Sequence, residues 1–286
     1  MADPRATGGP ERPEGGGGRP EGGGGRPEGG GGRLLAVALP EVSEVRPGDD
    51  LAGLIVESWS RLVVEDPELA AQSGDVLVVT QKIVSKAEGR MVRLADVEPR
   101  PEAVAFARRW DKDPRQVEVV LRESAQIVRM ERGLIISRTS HGFVCANAGV
   151  DASNTGDEGV VTLLPEDPDA SAAGLRDRLE VELGVAVGIV ISDSFGRPWR
   201  WGITDVALGV AGFAPLLDLR GTPDAGGRTM HATVVALADE LAAVAELVSG
   251  KTSHRPLVLI RGAHLPVGEG TVAGDVVMSP EDDLFP

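Results

Sequence analysis

Between Val187 and Gly202 a β-branched apolar run, Val187 to Ile191, gives way abruptly to Ser192-Asp193-Ser194-Phe195-Gly196-Arg197-Pro198-Trp199-Arg200-Trp201-Gly202. No other stretch limits the fold as much. The apolar run reads as a buried strand, and residues 192–202 have the wrong composition for a core, so the strand must end at a turn held by Gly196 and Pro198. Acid, hydroxyl and guanidinium groups delivered together to a strand end suit a site that handles a metal ion and phosphate. An exposed loop whose arginines pair with neighbouring acids fits the same letters.

Composition narrows the chemistry. The 286 residues carry a formal net charge of −15, which argues against a nucleic-acid surface, since that needs a basic stripe. Anionic substrates would approach only where basic side chains or a divalent cation reverse the local potential. Attention therefore falls on Lys82, Lys86, Arg90, Arg197, Arg200, Arg220 and Arg228. A lone cysteine, Cys145, excludes a disulfide framework and any multi-thiolate metal site, so any metal must be held mainly by oxygen. No apolar run approaches the roughly 20 residues that cross a bilayer. The N-terminus has no apolar core of a secretory signal, and the expected compartment is the cytoplasm.

Residues 1–33 read as a disordered tail, because Arg-Pro-Glu-Gly-Gly-Gly-Gly recurs at 12–18, 19–25 and 26–32 with nothing apolar to bury. Residues 34–286 read as one folded domain. Strands are expected at 35–39, 75–80, 126–130, 134–138, 142–145, 160–164 and 256–261. Helices are expected from Asp49 or Asp50 through Leu62, at 102–110, at 114–123 behind an Asp113 cap, at 170–183 with Gly184 as stop, and at 233–248 with Leu237, Leu241, Val244 and Val248 as the core stripe. Polar and basic residues alternate with apolar ones from Gln81 to Arg90 before a glycine turn. Strands and helices are interspersed without a regular βαβ repeat. The expected class is α+β, with mixed, largely antiparallel sheets and packed helices.

Two nucleotide motifs fail. Gly250-Lys251-Thr252 imitates the end of a P-loop, but Ala245 stands where the first glycine belongs and a helix precedes it. No Gly-x-Gly-x-x-Gly opens a helix after a strand. The four histidines lack metal spacing, and Cys145 reads as a packed small residue. The informative pair is Asp151 and Asp193, each behind an apolar segment and each followed by hydroxyl or amide side chains: Ser153 and Asn154, and Ser194. Such a pair can hold Mg²⁺ or Mn²⁺ through oxygen and leave positions for phosphate, or can simply close two Asx turns.

Three segments carry a resemblance: Val79-Thr80-Gln81-Lys82-Ile83-Val84-Ser85-Lys86, continuing through Arg90; His141-Gly142-Phe143-Val144-Cys145-Ala146-Asn147-Ala148-Gly149-Val150-Asp151-Ala152-Ser153-Asn154; and Ser192-Asp193-Ser194-Phe195-Gly196-Arg197. In this order and spacing they resemble the coenzyme F420-0:L-glutamate ligase family (coenzyme F420 gamma-glutamyl ligases) in its actinobacterial form. Many such relatives carry a C-terminal nitroreductase-like domain, which would begin about where this chain stops, after Ser279.

The resemblance implies an intertwined homodimer and a GTP-dependent ligase. The enzyme would join L-glutamate to the lactyl carboxylate of a deazaflavin cofactor precursor through an acyl phosphate and extend a γ-linked glutamate tail. By position it implies Asp151, Asp193 and Ser194 as ligands of Mg²⁺ or Mn²⁺, with K⁺ as an additional cation. GTP contacts are implied at Leu39, Pro40, Glu41, Val42, Gln81, Lys82, Lys86, Asn154, Ser249, Gly250, Lys251 and Thr252. Lys251 stands where some members carry an acidic or amide ligand for a second metal, a role an ammonium cannot fill. Arg197, with Arg200, is assigned to substrate phosphate or carboxylate, with loop salt bridges as the alternative. A non-catalytic nucleotide- or cofactor-binding subunit serving a separate reductase is the competing reading.

Overall fold

The computed structural model describes residues 32–153, 159–250, 253–279 and 281–283. The repeat tail up to residue 31, together with Asn154, Lys251 and Thr252, lies outside them. The chain begins with β1 (Leu35–Ala38), α1 (Leu51–Glu65), β2 (Val76–Thr80), α2 (Gln81–Ala87) and β3 (Met91–Arg93). Next come α3 (Pro101–Trp110), α4 (Pro114–Arg122), β4 (Ser124–Glu131), β5 (Leu134–Thr139), β6 (Val144–Ala146) and β7 (Val160–Thr162). It closes with α5 (Pro168–Leu183), β8 (Gly188–Arg197), β9 (Arg200–Ala211), β10 (Leu217–Asp218), β11 (Val234–Val235), α6 (Leu237–Ser249) and β12 (Leu257–Arg261).

The α+β expectation holds. A five-stranded sheet in the order β1-β12-β2-β8-β9 forms the centre, and three small sheets pair β3 with β7, β4-β5-β6, and β10 with β11. Every pairing is antiparallel except β2 with β8. Strand periodicity sorts the central sheet between two cores. Leu77, Val79, Ile189, Ile191, Leu257 and Leu259 face Ile55 and Trp59 of α1 and Leu179 of α5. Val76, Val78, Val190, Val258 and Ile260 face α6. A third core gathers α3, α4, Ile135 and Val161. Gly209 marks a close approach on β9: a Cβ there would lie 2.2 Å from the Pro168 carbonyl oxygen, so the start of α5 rests directly on the strand.

Two helix caps, Asp50 and Asp113, follow their sequence signals, and Asp167 caps α5, which begins at Pro168, ahead of the start expected at 170. Asp50 accepts from Gly53 N–H at 3.3 Å, Asp113 from Arg115 N–H at 2.8 Å and Asp167 from Ala170 N–H at 2.9 Å. Gly184 ends α5 at φ 72°. Three expectations are corrected. Residues 233–236 do not begin α6, because Val234–Val235 pairs with Leu217–Asp218 as a ribbon. The buried face of α6 is Ala238, Leu241, Ala242 and Ala245, small residues that seat the helix close to the sheet, whereas Val248 is exposed. The stretch after Ile191 is not a loop: β8 continues to Arg197 against β9, with bulges at Ile191/Ser192 and Gly196/Arg197, and the turn is only Pro198-Trp199. Ladder hydrogen bonds to Ile203 and Thr204 carry these polar residues as strand. The alternating segment from Gln81 proves to be helix α2, which buries Val84 in the first core.

Candidate active-site cleft

The parallel pair runs out at Thr80 opposite Ser192. A cleft of about 560 Å³ opens just beyond, where α2 begins and β8 passes its first bulge. The carboxyl ends of neighbouring parallel strands are the usual place for ligands on sheets flanked by helices. One wall is the segment Val42–Val45 with Lys82 and Lys86 of α2; the facing wall is Asp193–Gly196 with Asp205 of β9. Gly149–Asp151 with Ser153, Glu246 and Ser249 of α6, Gly250 after it, and His254–Pro256 complete the lining.

Asp151 is positioned by backbone. Its N–H and C=O both pair with Thr162, at 3.0 and 2.8 Å, one residue beyond three consecutive left-handed residues, Asn147 (φ 52°), Ala148 (φ 51°) and Gly149 (φ 71°). A Cβ at Gly149 would stand 2.6 Å from Leu164 Cδ2, so both conformation and space demand glycine there. Left-handed Ala148, buried in the third core, is strained, and packing holds it. The Asp151 carboxylate meets Lys82 Nζ at 2.7 Å and accepts from Ser153 N–H at 2.7 Å and Ser153 Oγ at 2.9 Å. Burial alone would raise this carboxyl, but Lys82 and the Ser153 donors outweigh it and hold it below its ordinary value. Lys82 also donates to the Ser153 carbonyl at 2.9 Å. Lys86 Nζ lies 2.5 Å from Glu44 Oε1, with the lysine 6% and the glutamate 61% exposed.

Across the cleft, Ser194 Oγ donates to Asp205 Oδ1 at 2.5 Å and Ser192 Oγ donates to Asp205 Oδ2 at 3.3 Å. Sequence reading missed Asp205. Its signal was an acid inside the apolar run after Thr204, and hairpin register then sets it opposite Ser194. Asp193 lines the cleft close to Cys145, whose thiol is pushed up to about 12 by burial first and then by the Asp193 charge. Cys145 is packed and unreactive at neutral pH.

Of the residues singled out from sequence, the cleft gathers Val42, Lys82, Lys86, Asp151, Asp193, Ser194, Ser249 and Gly250. Leu39 is instead fully buried in the first core. The Pro40 carbonyl accepts from Ser58 Oγ at 2.7 Å, and Glu41 lines a smaller hollow against α1. Buried Gln81 donates to Ser85 Oγ and to the Leu163 carbonyl, at 2.5 and 2.9 Å. Arg197 and Arg200 pair in register at the exposed end of the β8–β9 hairpin, outside the cleft lining.

The donors toward a metal in the cleft lining are mostly oxygen, the carboxylates of Asp151, Asp193, Asp205, Glu44 and Glu246 and serine hydroxyls, with the His254 imidazole besides. Among the described residues no three acid, imidazole or thiol side chains converge into a closed metal cluster. That pattern fits Mg²⁺ or Mn²⁺ held by one or two carboxylates together with substrate phosphates, rather than an all-protein cage.

Comparison with known proteins locates similarity over most of the chain. The model of the F420-0:gamma-glutamyl ligase family matches residues 40–262. A coenzyme F420:L-glutamate ligase of Methanopyrus kandleri is 47% identical over 251 residues, covering 86% of this chain and 95% of the relative. Ligases of the same name from Methanothermobacter thermautotrophicus and Methanocaldococcus jannaschii are 47% and 40% identical, covering 76% and 79% of this chain and 84% and 89% of the relatives.

Proposed function

The chain belongs to the F420-0:gamma-glutamyl ligase family, and from that premise we propose that it is a ligase joining L-glutamate to the carboxylate of a deazaflavin cofactor precursor at the expense of GTP. One observation carries the reading. Asp151 and Asp193 come from segments 42 positions apart, yet they line one cleft with Lys82 and Lys86 at the end of the parallel strands.

The reaction sets an acceptor carboxylate against a triphosphate, two anions that repel. The acceptor oxygen attacks the γ-phosphorus, GDP departs, and the acyl phosphate so formed is opened by the neutral amine of glutamate, releasing phosphate and leaving an amide. Repetition on the new γ-carboxylate extends the tail. Buried Lys86 and half-buried Lys82 offer ammonium donors to phosphate oxygens. Lys82 now directs its charge at Asp151, and Lys86 at Glu44. Asp151 and Asp193 are the side chains that would hold Mg²⁺ or Mn²⁺, with Ser194 beside them. A divalent cation there would neutralise the phosphates and stabilise charge developing in transfer. K⁺ belongs to the same proposal as a further counter-ion.

The proposal includes a homodimer and a place in the cytoplasm. Trp199 and Trp201 are 84% and 100% exposed at the hairpin end beside half-exposed Ile203, an apolar surface better covered by a second copy than by water. Among the described residues no helix is long and apolar enough to cross a membrane.

The deciding experiment supplies purified protein with GTP, Mn²⁺, L-glutamate and the precursor, and tracks product mass. Gains of one glutamyl unit with matching phosphate release are expected. GTP binding without any gain would remove the ligase reading and leave a binding subunit.

A further inference from the structure

Phe195 has the main cleft on one side and a second, smaller cleft on the other, about 280 Å³, whose walls include Phe143, Val206, Val276 and Asp239. The two clefts share that ring and differ in chemistry. The main one sets carboxylates and ammonium groups among apolar side chains such as Val42, Ile83 and Val150, and its charges suit the phosphates and the reacting carboxylate. The smaller one is aliphatic and aromatic: Phe143 and Phe195 stand edge to face with ring centroids 6.2 Å apart at 71°. Its size lies just under the roughly 300–1,000 Å³ of pockets that enclose whole drug-sized ligands, which suits one ring system better than a complete substrate.

Asp239 supplies the polar mark. One carboxylate oxygen accepts from Ala207 N–H at 2.9 Å, and the other has no partner among the described residues. Burial raises this carboxyl above its ordinary value, and the Ala207 N–H offsets that only in part. The Arg138–Asp283 ion pair, 2.7 Å long, contributes further walls and fastens the C-terminal segment, which supplies Val276, beside the cleft.

We propose that this second cleft is the subsite for the planar deazaflavin ring of the acceptor, with Phe195 as the partition that sends the ring one way and the reacting carboxylate into the main cleft. The inference rests on the ligase reading and adds where the unreactive end is held. An acceptor with a flat heterocycle at one end and a carboxylate at the other needs two adjoining sites of these opposite characters. The unpartnered Asp239 oxygen is left for the imide N–H of the ring edge.

The test uses the full chain and the fluorescent deazaflavin riboside that lacks the acidic chain. Fluorescence titration without GTP is expected to show binding, and the riboside should compete with the complete acceptor. Val276→Phe, which fills the cleft, should weaken riboside binding and raise KM for the acceptor by about tenfold or more, while KM for GTP and glutamate stays within about twofold. If that variant does not melt like the parent, Phe143→Leu carries the same expectation through loss of the ring partner. Asp239→Asn keeps an acceptor for Ala207 and should cost about threefold to tenfold in riboside affinity. Unchanged riboside binding in the filled variant, or a common rise of all three KM values, would overturn the subsite. Riboside binding is read without turnover, so a protein that binds it yet never transfers glutamate sinks the ligase reading and leaves the subsite standing.

Discussion

The ion pairs of the frame and those of the cleft are built in opposite ways. In two pairs of the frame the acid is buried and fully used. Asp75, 1% exposed, takes both prongs of Arg261 at 2.7 Å, and the same guanidinium donates to the carbonyls of Glu68 and Ala70. Glu118, 4% exposed, accepts from Arg100 N–H at 3.0 Å, from the Arg100 fork and from Arg122. In the cleft the cation is the buried member. Lys82 and Lys86 are 19% and 6% exposed, while their partners Asp151 and Glu44 are 41% and 61% exposed. An arginine fork on a sunken carboxylate locks geometry. A sunken ammonium facing a solvated carboxylate can exchange that partner for an incoming anion without moving its own charge.

Five substitutions test this contrast, in falling order of effect. Asp193→Asn and Asp151→Asn should each lower turnover by about a thousandfold or more with melting close to the parent. Retention of a tenth of the activity in either variant would separate that carboxylate from the chemistry. Under the proposed ligase reaction, in which the fixed charge of Lys86 and not its acid partner would meet the phosphates, Lys86→Met should cost about a hundredfold in kcat/KM for GTP. Steady-state kinetics with GTP varied reads this directly.

Glu118→Gln should instead leave turnover alone and remove about 2 kcal/mol of stability, below the roughly 3–5 kcal/mol of a fully buried pair because both guanidinium groups are half exposed. Arg100 first, then Arg122, hold the Glu118 carboxyl down to about 2 from an ordinary 4.5, against burial, which pulls it up. A depressed carboxyl stabilises the fold above its unfolded value and loses that contribution as pH falls. Chemical denaturation of parent and variant should therefore differ at neutral pH and converge from about pH 4.5 downward toward 2. Least affected should be Glu44→Gln, with no more than about a threefold change in any kinetic constant, as expected of an exposed partner that substrate replaces. A large loss there would make Glu44 a working residue and erase the difference between frame and cleft.

Local signals explain how much of this was legible. Caps at Asp50 and Asp113 and the stop at Gly184 write helix ends into a few residues, and apolar runs such as Val76–Val79 declare strands. The hairpin after Ile191 was hidden because polar residues read as loop when their strand partner, from residue 200 onward, is what makes them sheet. Asp205 went unnoticed for the same reason: only pairing register sets it against Ser194. Asp151 and Asp193 stood out by their hydroxyl neighbours and do share a cleft. Arg197 and Arg200 looked equally chemical, but the long ladder carries them to the exposed hairpin end. Leu39 and Gln81, named by resemblance, are buried.

The place of β12 in the sheet has a consequence for how the molecule is born. The last strand of the chain lies between the first two, pairing Leu35–Ala38 on one edge and Val76–Val79 on the other. A ribosome releasing this polypeptide from its N-terminus therefore emits β1 long before β12, its sheet neighbour among the described residues, exists. Until residues near 261 clear the exit tunnel, the nascent chain must carry β1 and one edge of β2 unsatisfied, a template for mispairing during synthesis. Stalled chains cut short of Leu257 should remain protease-sensitive and recruit chaperones, and chains extended past Arg261 should become resistant in a single step.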